Sequence, residues 1–400
     1  LQFVSGDNIA LPMPATIGVM FPGDPTARGR WSGTSSGVVG GLQELGIEVH
    51  AVNVDASPQM SRWLSLAAGG LMVTSIARAG LPLAPRELRR VGLITPAVAA
   101  MRSVLAQRRL RESVPLDGLI QIGTGYSVTT SLPLVTFEDM TTVQACDAEY
   151  AEWRAMPRRA VAARVTRQRK AYRRARGCCV CTHWAAESVV SDYAIPPEKV
   201  HVVGVGRNFE PPGAVTRDWS TPRFLFVGRD WSRKNGERVL AAFSRLRTEV
   251  PDARLDVVGA HPSLHADGLV GHGVLQLTDS AHRARLASLF ANATCFVMPS
   301  LHEPAGLAYV EAAAWGIPSI ATSNGGGSEL VGAGGIVVDP CNDDQLLAAM
   351  RELCDPTEAE RLGRIAEQRS QLFTSRTMAG RLLRALDLPS VAVEQLPAFL

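Results

Sequence analysis

Short, predominantly apolar runs recur through this chain with room for one helix between neighbours. Six stand in the first half: ATIGVMF, IEVHAVN, GLIQIG, PLVTF, GCCVCT and VHVVGVG. Six more stand in the second: FLFVG, RLDVVGA, GVLQL, TCFVMP, IPSIAT and GIVVD. A strand with one face in water alternates apolar and polar residues. These runs are apolar in both phases, so both faces need cover, and parallel sheets flanked by helices supply it. Between the two sets lies RNFEPPGAVTRDWSTP, Arg207 to Pro222, where adjacent prolines, a glycine and weak periodicity mark a linker. The expected class is α/β, with two Rossmann-like domains of similar size facing a cleft. The first is 1–206, the linker 207–222 and the second 223–373. A closing segment, 374–400, carries Met378, Leu382 and Leu386 at i, i+4 and i+8, which predicts a helix. A chain of 400 residues suits two such cores better than one.

Composition narrows the class without naming a partner. Apolar residues make up 46% and charged ones 20%, and the formal net charge is only +3. The seven cysteines are odd in number and unevenly placed, which argues against a secreted disulfide scaffold. The CxxC within Cys178–Cys181 has no second pair at ligand spacing, so those cysteines read as small core residues and no metal is assigned. Trp63 to Ala77 is an uncharged stretch of fifteen residues that includes Gly69 and Gly70. It falls short of the ~20 residues that span a bilayer and reads as a buried helix. No basic stretch followed by an apolar core opens the chain, so the expected location is cytoplasmic.

The chemistry concentrates in three loops. In SLHEPAGLAYVEAAAWGIPSIA, Ser300 to Ala321, Glu303 falls in a strand-to-helix loop and Glu311 about two turns into the helix. Such loops sit at the carboxyl ends of parallel strands, where open α/β sheets bind ligands. The backbone amides of Ala305, Gly306 and Leu307 would form a phosphate seat at a helix N-terminus. Two carboxylates would repel the phosphate itself, but they suit sugar hydroxyls on either side of it. In FVGRDWSRKNGERVLAAF, Arg229 and Lys234 follow a strand end, and both cation types suit phosphate oxygens. In the first half, WSGTSSG opens a helix at Gly33 and forms a second anion seat. It is not GxGxxG, so a dinucleotide cofactor is disfavoured.

FVGRDWSRKNG, PSLHEPAGLAYVEAAAWGIPSIATSNGG and WSGTSSG together resemble the family 4 retaining glycosyltransferases of GT-B fold, in the subset with a WSGT loop. The likeness covers about Arg223 to Phe373 and is looser over the first domain. The resemblance implies a nucleotide-sugar donor in the second domain, an acceptor in the first and no further cofactor. It gives Arg229 and Lys234 the donor diphosphate, Glu303 the donor sugar, and Glu311 the ribose. Ala305, Gly306 and Leu307 would meet sugar and phosphate through their backbone, with Gly33 on the opposite side. The closing helix would cross back to the first domain. Two positions depart from the family. Where a histidine often follows a first-domain strand, this chain has Glu138 and Asp139, and Asp139 is the candidate. Asn235 stands where glycine is usual. The implied reaction needs no metal, because the cations and amides stabilise the leaving phosphate and no Asp-x-Asp site stands in the donor domain; the adjacent Asp343 and Asp344 read as a helix cap. A UDP-sugar is the favoured donor, with GDP-mannose second.

Arg154 to Arg176 holds ten arginines or lysines and no acid. With Val161, Val165 and Tyr172 on one side, it reads as a basic amphipathic helix for an anionic membrane surface, which would place the protein peripherally on the inner face. Aromatic residues do not interleave with its charges, which disfavours nucleic acid. The acceptor class is a sugar, a lipid-linked molecule or a natural product. Two other readings share the architecture: a non-catalytic GT-B partner subunit and a sugar-nucleotide epimerase.

Overall fold

The structure, a computed structural model, describes residues 15–388. Residues 1–14 and 389–400, assigned above to the first domain and the tail, lie outside the described residues. Two six-stranded sheets form the two domains. The first has the order β2-β1-β3-β4-β5-β6, from β1 (Thr16–Phe21), β2 (Glu48–Asn53), β3 (Gly118–Ile122), β4 (Leu134–Glu138), β5 (Gly177–Val180) and β6 (Val200–Val202). The second has the order β12-β11-β10-β7-β8-β9, from β7 (Arg223–Gly228), β8 (Arg254–Gly259), β9 (Leu269–Gly271), β10 (Cys295–Met298), β11 (Ser319–Thr322) and β12 (Gly335–Val338). Adjacent strands pair in parallel, and β1, β3, β4, β5, β10 and β11 are buried along nearly their whole length. Parallel order gathers the carboxyl ends at one edge of each sheet, and loops from the two edges meet, with His183 and Trp184 after β5 on Glu329 after β11 and Tyr150 after β4 by Arg233 after β7. The fold is GT-B, as the structural neighbours described below also show.

Eleven of the twelve apolar runs contain a strand. The exception is GVLQL, which is irregular; the edge strand is β9, just upstream. Gly273 has a φ of 63°, which breaks an extended path at the run's first residue. Leu275 and Leu277 still pack on the second core, so their burial does not depend on a ladder. Cys178, Cys179 and Cys181 lie in or beside β5 and are buried core residues. Asp343 and Asp344 stand in the first turn of the helix Asp343–Glu352, whose cap is Asn342, accepting from the Gln345 N–H.

Trp63 to Ala77 is not a buried helix. The helix Pro58–Gly70 ends there and a second, Val73–Arg78, follows, with Trp63, Leu64, Leu71 and Val73 exposed. The inward positions are Ser65 and Gly69, small enough to bring the backbone against the helix Pro85–Gly92. The helix Arg158–Arg174 is basic as expected, but part of its charge is committed. Arg164 turns inward to the Thr124 carbonyl at 2.8 Å, Arg169 donates to the Asp192 carbonyl, and Arg176 pairs with Asp387. Among the described residues no helix is long and apolar enough to cross a membrane.

The chain crosses between domains twice, and the crossings are tied together. The Arg207 N–H donates to the Phe373 carbonyl at 3.0 Å, and its guanidinium to the Ser370 carbonyl at 2.6 Å. Beyond Phe373 the helix Ser375–Leu386 returns to the first domain, where Met378, Leu382, Leu383 and Leu386 join Ile17, Val38, Ile120 and Val135 in one core. It can lie so close because the facing helix Thr34–Glu44 presents glycines: a Cβ on Gly41 would overlap the Ser375 carbonyl. Gly41→Val should therefore cost more than the ~1–3 kcal/mol of ordinary overpacking, since backbone rather than a side chain must yield. Urea unfolding of Gly41→Val beside Gly40→Val checks this. Gly40 has open space at its Cβ position, so similar losses in the two would show that the close approach is not limiting.

Candidate functional site

The loop after β10 folds around Glu303. Its carboxylate accepts from the Lys234 ammonium, from the Ser300 hydroxyl at 3.1 Å and from the Gly306 N–H at 3.2 Å, with the Arg233 guanidinium 3.6 Å away. The backbone of Glu303 is fixed as well: its N–H donates to Asn324 and its carbonyl accepts from Gly327. Burial pushes this carboxyl's pKa up, but Lys234 and Arg233 outweigh burial and hold it below the ordinary value, so it is ionised at neutral pH. Burial draws the Lys234 ammonium down, and Glu303 offsets part of that.

Lys234 is delivered by the loop after β7. Asn235, at the helix N-cap, has a φ of 65° and is buried, with its side-chain amide on the Pro299 and Pro340 carbonyls. Asparagine tolerates this left-handed geometry better than most non-glycine residues do. Arg229 follows Gly228 directly and is exposed, outside the Glu303 cluster. Arg233 occupies the place by Glu303, with its guanidinium on the His302 carbonyl at 2.9 Å and 5.8 Å from the Tyr150 ring centre.

The helix begins at Leu307 with Gly306 as its cap at φ 76°, so Glu311 stands one turn in rather than two. Ala305 and Gly306 are buried and Leu307 is half-buried at that helix start. The Glu311 carboxyl is driven up to about 8 by burial, against the opposing pull of the Asn208 N–H. Asn208 also reaches the first domain, where its side-chain amide donates to the Ser32 carbonyl at 2.6 Å and leaves no room for a Cβ on Gly33. Gly33, at φ 87°, caps the helix Thr34–Glu44 and ends a left-handed run that includes Trp31 and Ser32. Non-glycine residues rarely adopt this conformation. Here it turns Trp31 edge-on to Phe137, with its indole N–H 3.3 Å from Asp139.

Glu138 and Asp139 divide at the end of β4. Glu138 turns into the domain, to Thr124, Gln168 and Tyr172 at 3.0, 3.0 and 2.5 Å. Asp139 turns to the cleft. Burial lifts its pKa to about 6, with Trp31 opposing and the charges of Glu138 and Glu303 adding to the lift. Tyr150 senses Arg233, Asp139 and Glu303 together, so both domains contribute to one charged cluster. A further tie crosses the cleft. The Glu329 carboxylate accepts from the His183 and Trp184 N–H groups, each at 2.7 Å, at the start of the helix His183–Ser191.

The structure thus joins Lys234 with Glu303 and the Gly306 amide, places Asp139 opposite them and sets Gly33 near Glu311 through Asn208. Arg229 stands apart. Sequence reasoning missed Arg233, Asn208, Trp31 and Tyr150. Arg233 was in view within the quoted loop, one residue from Lys234. Asn208 lay in the stretch set aside as linker.

The fold and site define a two-domain GT-B protein with cations and a buried carboxylate at the second sheet's strand ends. Comparison with known proteins agrees on the domain: residues 221–355 match the family described as "Glycosyl transferases group 1". The chain is 30% identical over 219 residues to the MMP alpha-(1->4)-mannosyltransferase of Mycolicibacterium hassiacum, covering 51% of this chain and 52% of that one. It is 34% identical over 159 residues to the GDP-mannose-dependent alpha-(1-6)-phosphatidylinositol monomannoside mannosyltransferase of Mycolicibacterium smegmatis, covering 36% and 41%. These matches span about half, or less, of the relatives' own length. Sucrose-phosphate synthase from Thermosynechococcus elongatus shares the fold with a TM-score of 0.66 at 20% identity, over 93% of this chain and 99% of that one. WaaG, a glycosyltransferase involved in lipopolysaccharide biosynthesis, does so with 0.61 at 14% identity, over 93% and 100%.

Glu311 gives a pH test. Its folded pKa of about 8 exceeds an unfolded value of about 4.3, so the folded state holds the extra proton between them. The native state therefore loses stability as pH rises through that window, a loss that Glu311→Gln escapes. The melting temperature of Glu311→Gln should match the wild type near the lower limit and exceed it increasingly up to the upper one. A difference that stays flat with pH would contradict the raised pKa of this half-buried, sparsely partnered carboxyl.

Proposed function

We propose that this chain is a retaining glycosyltransferase that moves a hexose from a nucleotide-diphosphate sugar to an acceptor hydroxyl without a bound metal. The observation that carries the reading is the fixed, ionised Glu303 beside Lys234 and a helix N-terminus, facing Asp139 across the cleft. An ionised carboxylate only accepts hydrogen bonds, so it suits sugar hydroxyls. Lys234, Arg229 and the amides of Ala305 to Leu307 meet the diphosphate, and Glu311 takes the ribose hydroxyls. As the bond to the anomeric carbon breaks, charge gathers on the departing phosphate, where cations and amides stabilise it most. The acceptor hydroxyl attacks from the face the phosphate leaves, and a phosphate oxygen takes its proton. Asp139 orients the acceptor or a donor hydroxyl. These cations supply the charge that a metal would otherwise provide. UDP-hexoses and GDP-mannose are the donors to try, and the name of the M. smegmatis relative favours including GDP-mannose from the start. The acceptor is a sugar, a lipid-linked molecule or a natural product. The exposed cations of the basic helix, Arg158, Arg159, Lys170, Arg173 and Arg174, with Arg154 just before it, support a peripheral position on an anionic membrane.

Nucleotide release from a donor panel tests the activity, and proton NMR of the product's anomeric coupling tests the stereochemistry. An α-linked donor should give an α product at a rate that a chelator leaves unchanged. A β product would overturn retention, and a chelator-sensitive rate would overturn metal independence. Absence of release with any donor would favour a partner subunit. Lys234→Ala and Arg229→Ala should each lower turnover by about two decades, the roughly 3 kcal/mol of one lost transition-state donor.

The two glutamates should separate by ligand. Glu311→Ala should weaken binding of free nucleoside diphosphate. Glu303→Ala should spare that binding and damage turnover, because its partner is the transferred sugar. Calorimetry with nucleoside diphosphate distinguishes the two, and equal losses would mean that the glutamates do not divide donor and nucleotide between them.

A further inference from the structure

The helix Pro58–Gly70 is inside out. Its inward face carries Ser65 and Gly69, where a Cβ on Gly69 would overlap the Leu88 carbonyl and one on Gly92 the Ser65 carbonyl. Its outward face carries Met60, Trp63 and Leu64, with Leu71 just beyond the helix; Trp63 is 72% and Leu71 86% exposed. Of the eleven large apolar side chains exposed among the described residues, six fall between Met60 and Leu83, so these side chains gather in one segment rather than scatter. The same segment is free of acid: no aspartate or glutamate occurs from Ala56 to Arg86, whereas Arg62, Arg78 and Arg86 do. The basic helix adjoins it. Ala155, Met156, Ala160 and Val161 share a small core with Ile76, Leu88 and Val91, so the exposed Arg154, Arg158 and Arg159 flank the apolar unit.

We propose that this unit, Ser57 to Arg86 with the start of the basic helix, docks on an anionic lipid bilayer, with Trp63 and Leu71 entering the interface and Arg62, Arg78, Arg158 and Arg159 meeting headgroups; Glu87, just beyond it, and Glu152 are held by Arg90. Tryptophan among apolar residues with a basic rim is the composition of an interfacial segment. A two-fold contact with a second copy would bring two acid-free basic stretches, Ala56 to Arg86, onto one face, which charge disfavours. The helix leaves the carboxyl end of β2, the sheet edge that also supplies the Gly33 loop and Asp139. Docking would hold the first-domain side of the cleft near the membrane. The proposal adds apolar insertion to the electrostatic contact read from the basic helix. It does not depend on the donor-site reading, so either can fail alone.

Flotation of the full chain with phosphatidylglycerol–phosphatidylcholine vesicles tests it, with Trp63→Ser/Leu71→Asp as the variant. Both positions are exposed, so an unchanged melting temperature is the expected control for folding. The wild type should float, and the variant should partition at least roughly a hundredfold more weakly, the lower bound for the loss of two buried apolar side chains. Brominated lipid should quench wild-type fluorescence more than that of Trp63→Phe. Equal flotation of wild type and variant, released from both by salt, would overturn apolar insertion in favour of charge alone. Failure of the wild type to float at low salt would overturn docking. Self-association of the wild type that the variant loses, seen by analytical ultracentrifugation, would assign the face to a second copy instead.

Discussion

The candidate site is organised around one buried negative charge. Glu303 draws in partners from two strand ends: Arg233 and Lys234 from the loop after β7, and Ser300 and Gly306 from its own loop after β10. Its main chain ties in a third loop through Asn324 and Gly327. A buried pair of this kind adds little net stability over apolar packing, but removing one member costs about 3–5 kcal/mol, because it leaves an unpaired charge. The pair is therefore better understood as fixing geometry. With Glu303 held from several sides, Lys234 and the start of the helix at Leu307 have little freedom, and reorganisation during a reaction would be correspondingly small.

Three carboxyl groups in one cleft are driven to different protonation states by their surroundings. Glu303 sits below the ordinary range because cations outweigh burial. Asp139 is lifted to about 6, and Glu311, with a single backbone donor opposing its burial, to about 8. Such separation marks groups with different tasks. The acceptor-only Glu303 can hold hydroxyl hydrogens at neutral pH. Glu311 is mostly protonated there, so a ligand that supplied it with hydrogen-bond donors would bind with release of a proton. Asp139 is mostly ionised above pH 6 and becomes neutral in mild acid.

Much of this was visible in the sequence because burial on two faces leaves a simple mark. Runs such as TCFVMP and GCCVCT are apolar in both phases, and only a covered strand tolerates that in an α/β chain. GVLQL misled because an edge segment can pack Leu275 and Leu277 without joining the ladder, and the neighbouring glycine's φ is not written in its letter. The uncharged stretch from Trp63 misled for a related reason: hydrophobicity says that a face avoids water, not which face the fold covers. Here Ser65 and Gly69 faced inward along the first helix while Trp63, Leu64 and Leu71 faced out. The glutamates of the second domain were legible through their spacing after a strand. Which cation reaches Glu303 was not, since Arg229, Arg233 and Lys234 share one loop and only its path past Asn235 selects among them. Asn208 and Trp31 depend on contacts more than a hundred residues apart, Asn208 with Ser32 and Trp31 with Asp139, which no local pattern encodes.

The domains are joined by ties of unequal kind. At one side the chain crosses twice, with Arg207 bridging the crossings and the return helix sunk into the first core. Breaking those contacts would expose Met378, Leu382 and Leu386, each a full core residue, at about 1.5–3 kcal/mol apiece. Across the cleft, the Glu329 contact rests on hydrogen bonds from two backbone amides to a partly exposed carboxylate, and bonds to charged groups contribute only about 1.5–3 kcal/mol each. The cheaper tie lies on the open side and the costly one at the crossing. A relative motion of the domains would therefore release Glu329 first and turn about Arg207 and Thr374. Because Asn208 immediately follows that pivot and bonds both Ser32 and Glu311, the same turn would alter the Gly33 loop and the Glu311 carboxyl together and part Arg233 from the Tyr150 ring, while the hydrogen bonds on Glu303, all from second-domain residues, stay intact.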